Sequence, residues 1–280
     1  MDYFLKTNMF KLFAFTALLA SCLTVVAAPV CDTLIVTGPT DDAPDSWLTD
    51  GKLDGVAIKF AQRLAEKAGV TTVITKHYPT WTDTIAAVND GEADLIVSAI
   101  FSDDRNRYWN FVVPQYGESP VVIVTKKSKK FPLLRLDDLL NKKGAKVKDQ
   151  AFGSSLLHQF LEDKAKPTSI DSVDQMMNGL ATDQFDYGIA YKFGLDRYLM
   201  VGGLFQEYAY LTTYPYFGDL HFAFSKQSHC GQKLMPRFEA ELKKALNENK
   251  FYSMRQEYEN TFFESHTSKM SRIAREKNRK

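Results

Sequence analysis

Neither sign of charge is in excess: 35 lysines and arginines stand against 34 aspartates and glutamates in 280 residues, a formal net charge of +1. Binding to nucleic acid ordinarily needs a clear basic excess on one face to displace counterions from phosphates, so nucleic acid is not an expected partner. The basic residues that do gather, in SKMSRIAREKNRK, read as a solvated, disordered tail over 266–280. Beyond the N-terminus no run approaches the roughly 20 apolar residues of a membrane span. The five histidines, His77, His158, His221, His229 and His266, are scattered without metal-ligand spacing, so neither a metal nor a cofactor is expected. With 45% apolar and 25% charged residues the balance is that of a water-soluble globular chain, long enough for two ordinary domains.

The one strongly apolar stretch lies at the start. Lys6 and Lys11 precede LFAFTALLA, and Val26, Ala27 and Ala28 offer a small-residue cleavage site, so residues 1–28 read as a secretory signal peptide. Met9 is an alternative start. Leu19, Ala20, Ser21 and Cys22 also fit a lipoprotein cleavage box, so a lipid anchor on Cys22 is the alternative to a free periplasmic protein. Cysteine is scarce, three residues in all. With Cys22 removed, Cys31 and Cys230 remain as an even pair in an oxidising compartment, which predicts a disulfide from the first strand to a segment near the C-terminal helix. Two unpaired small core residues are the alternative.

The most informative stretch is 91–116, GEADLIVSAIFSDDRNRYWNFVVPQY. A buried strand (Leu95, Ile96, Val97, Ala99, Ile100) runs into a polar break and then Arg105, which places an arginine just past the carboxyl end of a core strand. In open α/β sheets ligands sit there. Upstream, TLIVTG reads as a strand and TDDAPDSWLTDGKLDG as a polar loop. A helix carries Val56, Phe60, Leu64 and Ala68 on one face and stops at Gly69. TTVITKHY is a strand, and Thr80 with Asp83 forms a capping box. The order β-α-β-α-β implies a parallel sheet with right-handed crossovers.

After the strand PVVIVTKK the scheme restarts with AKVKDQ, Gly153, a Ser154 or Ser155 cap, a second cap at Ser172, and the strand FDYGIAY. An extended aromatic segment and an amphipathic helix on Leu234, Phe238, Leu242 and Leu246 follow. The expected organisation is α/β in two lobes, the second inserted in the first: 29–124 and 214–265 form lobe 1, 125–213 form lobe 2. Two chain crossings, near Ile123 and near Phe217, then make a hinge beside a binding cleft.

In order and spacing the chain resembles the extracytoplasmic solute-binding proteins of the amino-acid-binding type, the two-lobed periplasmic receptors of ABC importers. The likeness runs through Pro44-x-x-Trp47, Gly55, Trp81, Gly91-x-x-Asp94, Ser102-x-x-Arg105, Phe111-x-x-Pro114, Asp137-Asp138-Leu139, Gly153-Ser154, Asp186 and Ala223-x-x-Lys226. It implies the type II periplasmic-binding-protein fold, with a mainly parallel sheet in each lobe and a two-strand hinge. The implied function is capture of a small carboxylate-bearing solute, an amino acid or related organic acid, by a monomer that closes on it and delivers it to an ABC permease in the inner membrane. A membrane sensor is the alternative partner. A dehydratase-type enzyme on the same fold is the remaining alternative, with Glu118 as its general acid.

The resemblance makes Arg105 the clamp of the ligand's carboxylate, helped by Ser102, and a guanidinium's planar fork matches a carboxylate. Surface pairing of Arg105 with Asp103 or Asp104 is the alternative. Ser98, Trp47, Trp81 and the Gly153–Ser154 turn complete the expected contacts; core packing is the alternative for the indoles, and helix capping for the turn. The chain also departs from the family's pattern: Tyr191 stands where an aspartate usually holds the ligand's ammonium, Ile100 replaces a threonine, Ala57 and Lys59 replace acids, and Gln115 separates Pro114 from Tyr116. Asp45 and Glu118 are then the candidate acids for an ammonium, and a carboxylate whose other end is stacked on an aromatic ring is the expected ligand.

Overall fold

The computed structural model describes residues 31–211 and 216–261; the expected signal peptide, Cys22 and the tail over 266–280 lie outside them. The chain begins with β1 (Cys31–Thr37), and the polar loop then folds on itself as three short antiparallel strands, β2 (Asp41–Asp42), β3 (Ser46–Thr49) and β4 (Lys52–Asp54). Gly55 makes this close folding possible. Its φ is 136°, and a Cβ there would lie 2.2 Å from the Asp45 carbonyl oxygen, so a side chain is barred by both strain and space. Helix α1 (Val56–Ala68) starts against the same loop, with the Val56 and Ala57 amides donating to the carbonyls of Pro44 and Asp45 at 2.8 and 3.0 Å. It ends at left-handed Gly69, as its sequence predicts.

Next come β5 (Val70–Thr75), α2 (Trp81–Asn89) and β6 (Leu95–Ala99). Both bonds of the Thr80–Asp83 capping box at the start of α2 are present. β1 lies between β5 and β6, parallel to each. All five residues of β6 are buried. Leu95 and Val97 join the core beneath α1, while Ile96 and Ala99 join the core on the opposite face, which is why the strand reads as an unbroken apolar run. Asp94, just before it, is structural: its carboxylate accepts from the Ile35 amide at 2.8 Å and from the Ser228 hydroxyl at 2.6 Å.

A short helix α3 (Asp103–Asn106) and β7 (Trp109–Phe111) lead into β8 (Gly117–Lys126). The second lobe contains β9 (Gly144–Val147), α4 (Ser155–Phe160), β10 (Thr168–Ile170), α5 (Val173–Ala181), β11 (Tyr187–Tyr191), α6 (Lys192–Gly202) and β12 (Tyr208–Tyr210). Here β9 lies between parallel β10 and β11. Val121 and Ile123 of β8 pack into one core and Val122 and Val124 into the other, so two cores sandwich this sheet. The chain returns through β13 (Tyr216–Ser225), α7 (His229–Asn247) and a last helix, α8, over 250–261.

Strands β8 and β13 join the lobes. Gly117 to Val121 pair with Leu220 to Tyr216, after which β8 continues along β11 while the far end of β13 continues along β6. Each strand thus passes from one sheet to the other, and the strand order β10-β9-β11-β8-β13-β6-β1-β5 is unbroken. Cys31 and Cys230 are disulfide-bonded, with Cα atoms 5.4 Å apart, tying the start of β1 to the first turn of α7. Among the described residues no helix is long and apolar enough to cross a membrane, and no cluster of three or more His, Cys, Asp or Glu residues could hold a metal ion.

Candidate functional site

A cavity of about 240 Å³ lies between the lobes. From the first lobe it is walled by Thr40, Asp41 and Asp42 of the folded loop, by Trp81 and Thr84 of α2, and by Ser98, Ile100 and Arg105 beyond β6; from the second, by Gln150, Ala151, Ser172, Tyr191 and Gly194. The carboxyl ends of β1, β6 and β11 all open onto it, as the topology requires.

Arg105 is the buried cation of this wall, with 7% of its surface exposed. Its Nη1 donates to the Ile100 carbonyl at 2.8 Å, and its Nη2 reaches across the cavity mouth to the Asp149 carbonyl at 2.9 Å. The rings of Trp81 and Trp109 flank the guanidinium at 5.4 and 5.2 Å. Arg107, not Arg105, makes the exposed pair with Asp104; among the described residues Arg105 forms no ion pair. Burial therefore pulls it down to about 10, against the opposing influence of Tyr191 and Asp149. A desolvated guanidinium with unused N–H groups on a cavity wall favours an incoming carboxylate.

Asp149 gathers the contacts between the lobes. Its carbonyl also accepts from Trp81 Nε1 at 3.2 Å, and its carboxylate from the Thr82 hydroxyl at 2.6 Å. Its backbone is left-handed, with φ 57°, a conformation aspartate tolerates better than most residues, and this turn aims carbonyl and carboxylate alike at the first lobe.

Opposite in charge are Asp41 and Asp42. Burial raises both carboxyls. Asp41 lines the cavity and is itself exposed, yet desolvation by the surrounding protein outweighs the pull of Arg197. Asp42 is pushed up to about 8 by burial and by the neighbouring Asp45 and Asp41, against Arg255 and a hydrogen bond to Ser98. A cationic group entering the cavity would relieve both.

Of the residues singled out from sequence, Arg105, Ser98, Trp81 and Tyr191 line the cavity. Ser98 has a left-handed backbone, φ 54°, and its amide donates to the Tyr116 hydroxyl at 3.0 Å. Tyr191 donates to the Ala151 carbonyl at 2.5 Å. The others stand elsewhere. Ser102 caps α3 by accepting from the Arg105 amide at 3.3 Å. Trp47 packs edge-on against Tyr258 of α8, with ring centroids 6.0 Å apart. Asp45 is fully buried and paired with Arg255, while Glu118 is exposed on β8. Gly153 lies against Phe217 and Gly218, and Ser154 caps α4, so Gln150 and Ala151 meet the cavity where the Gly153 turn was expected. Asp41 and Asp42 escaped the sequence reading; the doubled acid in the loop that follows β1 was the available signal.

A profile of the bacterial extracellular solute-binding proteins, family 3, matches residues 34–261. The chain belongs to that family. The L-cystine-binding protein TcyJ of Escherichia coli K12 is 32% identical over 96 residues, 34% of this chain and 35% of TcyJ. A probable histidine-binding protein of Neisseria gonorrhoeae is 33% identical over 86 residues, 30% of this chain and 31% of the relative. The chain thus matches about a third of the length of these curated relatives. Among solved structures, an ancestral arginine-binding protein bound to arginine superposes with a TM-score of 0.68 at 19% identity, over 81% of this chain and 97% of its own. A histidine kinase sensor domain with similarity to periplasmic binding proteins superposes with a TM-score of 0.69 at 18% identity, over 81% of this chain and 95% of its own. These likenesses bear out the two-lobed periplasmic-binding-protein fold.

Proposed function

We propose that this solute-binding protein captures an amino acid in the cavity between its lobes. The ligand's carboxylate is taken by Arg105 and its cationic group by Asp41 and Asp42. The observation that carries this reading is the buried Arg105, which forms no ion pair among the described residues, sharing one small cavity with the acids Asp41 and Asp42. A carboxylate alone would answer the arginine and leave the acids to hold protons. A zwitterion answers both, so the aromatic-stacked, non-cationic carboxylate favoured by the sequence fits this cavity less well. At about 240 Å³ the space falls just below the 300–1,000 Å³ typical of drug-sized ligands, which suits a single small molecule. Trp81 and Tyr191 supply its aromatic walls.

The role follows from the architecture. Lobes joined by two strands can close on a solute and display the closed form to a membrane partner. We assign that partner as an ABC permease and the protein as an extracytoplasmic monomer, consistent with its family and with relatives that bind cystine and, by name, histidine. Binding is favoured over catalysis because the carboxyl suggested as a general acid, Glu118, stands exposed and away from the cavity wall. Native mass spectrometry of protein purified from its own host tests this reading. A retained mass corresponding to an amino acid supports it, and a retained simple dicarboxylate or sugar overturns it.

A further inference from the structure

The last helix approaches the cavity wall from outside. Arg255, on α8, is only 12% exposed, and its Nη2 and Nη1 meet the two carboxylate oxygens of fully buried Asp45 at 3.2 and 3.3 Å. Its Nε donates to Glu259, one turn further along the same helix, at 3.0 Å. Its Nη1 and Nε are thus hydrogen-bonded to first-lobe groups, while Nη2 stands within ion-pair distance of Asp45. Its Cζ lies over the ring of Phe193, 4.6 Å from the centroid.

Phe193 belongs to the other lobe. It is in the first turn of α6, between Tyr191 and Gly194, both of which line the cavity. Gly194 meets the first lobe from inside, where a Cβ would come within 2.9 Å of the Asp41 carbonyl oxygen. The first turn of α6 is therefore held from both sides: by the Asp41 backbone at the cavity and by Arg255 outside it. Asp45 lies three residues beyond Asp42, so one arginine both anchors the loop carrying the cavity's acids and touches the lobe that closes over them.

We propose that Arg255 is a positioning residue for lobe closure: fixed to the first lobe by Asp45 and Glu259, it presents its planar face to Phe193 in the closed form and so sets the ratio of closed to open protein. The pairing with Asp45 does not change as the hinge moves, because both partners move with the first lobe. The contact with Phe193 is made on closing and lost on opening. Only arginine supplies both, since lysine keeps a point charge but has no plane to stack. The device acts whatever the solute, and does not depend on the assignment of an amino acid to the cavity.

The test measures distance between lobes in the free protein. Spin labels on Lys67→Cys and Asn178→Cys, exposed positions on α1 and α5, report closed and open populations by pulsed electron resonance while the native disulfide stays bonded. Phe193→Leu and Arg255→Lys are each expected to lower the closed-to-open ratio roughly three- to tenfold, the range of a partly desolvated cation–π contact. The double variant should do no more than either single one. Unchanged ratios in both single variants, additive shifts in the double variant, or a wild-type protein with no closed population would each overturn the proposal. Thermal melting distinguishes the role from simple support of the fold: Arg255→Lys should shift the ratio while keeping its pairing with Asp45 and most of its stability.

Discussion

Replacing Arg105 tests the site and the fold together. In Arg105→Ala two carbonyls lose their donor, Ile100 at 2.8 Å and Asp149 at 2.9 Å. An orphaned buried acceptor costs about 1–3 kcal/mol. Cavity water can reach the Asp149 carbonyl more readily than that of buried Ile100, so the total should be about 2–4 kcal/mol. At about 2–4 °C per kcal/mol for a domain of this size, the melting temperature should fall by roughly 4–16 °C. Binding is lost through a second route: charge-assisted hydrogen bonds contribute about 1.5–3 kcal/mol each, so losing the pair to a carboxylate weakens affinity at least ~100-fold. Arg105→Lys separates the two effects, since it keeps the cation but not the fork; it should retain more stability than alanine while still binding at least ~10-fold more weakly. Melting curves with calorimetric titration read both. An alanine variant that melts like the wild type, or a lysine variant with unchanged affinity, would refute the double role. The two backbone acceptors are the reason Arg105→Ala should cost stability as well as affinity.

Reducing the Cys31–Cys230 disulfide, which spans 199 residues, should destabilise the protein by about 2–5 kcal/mol, read as a lower melting temperature in reductant that Cys31→Ser with Cys230→Ser reproduces; equal melting with and without reductant would contradict this. Asp94→Ala removes the acceptor of the Ile35 amide and the Ser228 hydroxyl and should cost about 2–4 kcal/mol in chemical denaturation, with a cost below 1 kcal/mol counting against its structural role. Folding raises Asp42 to about 8 and Asp45 to about 6, so the folded protein holds protons that the unfolded chain releases near pH 4. That stability is complete below the ordinary carboxylate range and is lost as pH rises through 6 and 8. The ligand-free melting temperature should therefore fall between pH 5 and 8.5, and Asp42→Asn should flatten the fall; a flat wild-type profile would refute the proton uptake.

What the sequence made legible was local in origin. The unbroken apolar run of β6, the Thr80–Asp83 box, the Ser172 cap and the α1 stripe each rest on residues within a few positions of one another, and each is found in place. Arg105 was legible for the same reason, since it immediately follows a core strand. Trp47 was not: an indole in a polar loop suggests a ligand-facing ring, and its partner Tyr258 is supplied by a helix at the other end of the chain. Asp45 likewise looked available until Arg255 of that helix claimed it. The acids of the cavity were missed because the segment was read only as a polar loop, whereas it folds as three short strands and places Asp41 and Asp42 in the cavity wall. The lost aspartate at Tyr191 was visible in sequence, but an acidic pair on the opposite lobe becomes visible only when the lobes meet.

Calorimetric titration of the wild-type protein with L-arginine, L-histidine and L-cystine, each beside its counterparts lacking every cationic group or every carboxyl group, tests the central claim most directly. At least one intact amino acid should bind, and removing either group should weaken binding ~10-fold or more, since each deletion leaves Arg105 or the Asp41–Asp42 pair unanswered. Equal binding by the carboxylate without any cationic group would contradict the assignment of the acids, and equal binding by the amine without its carboxylate would contradict that of Arg105.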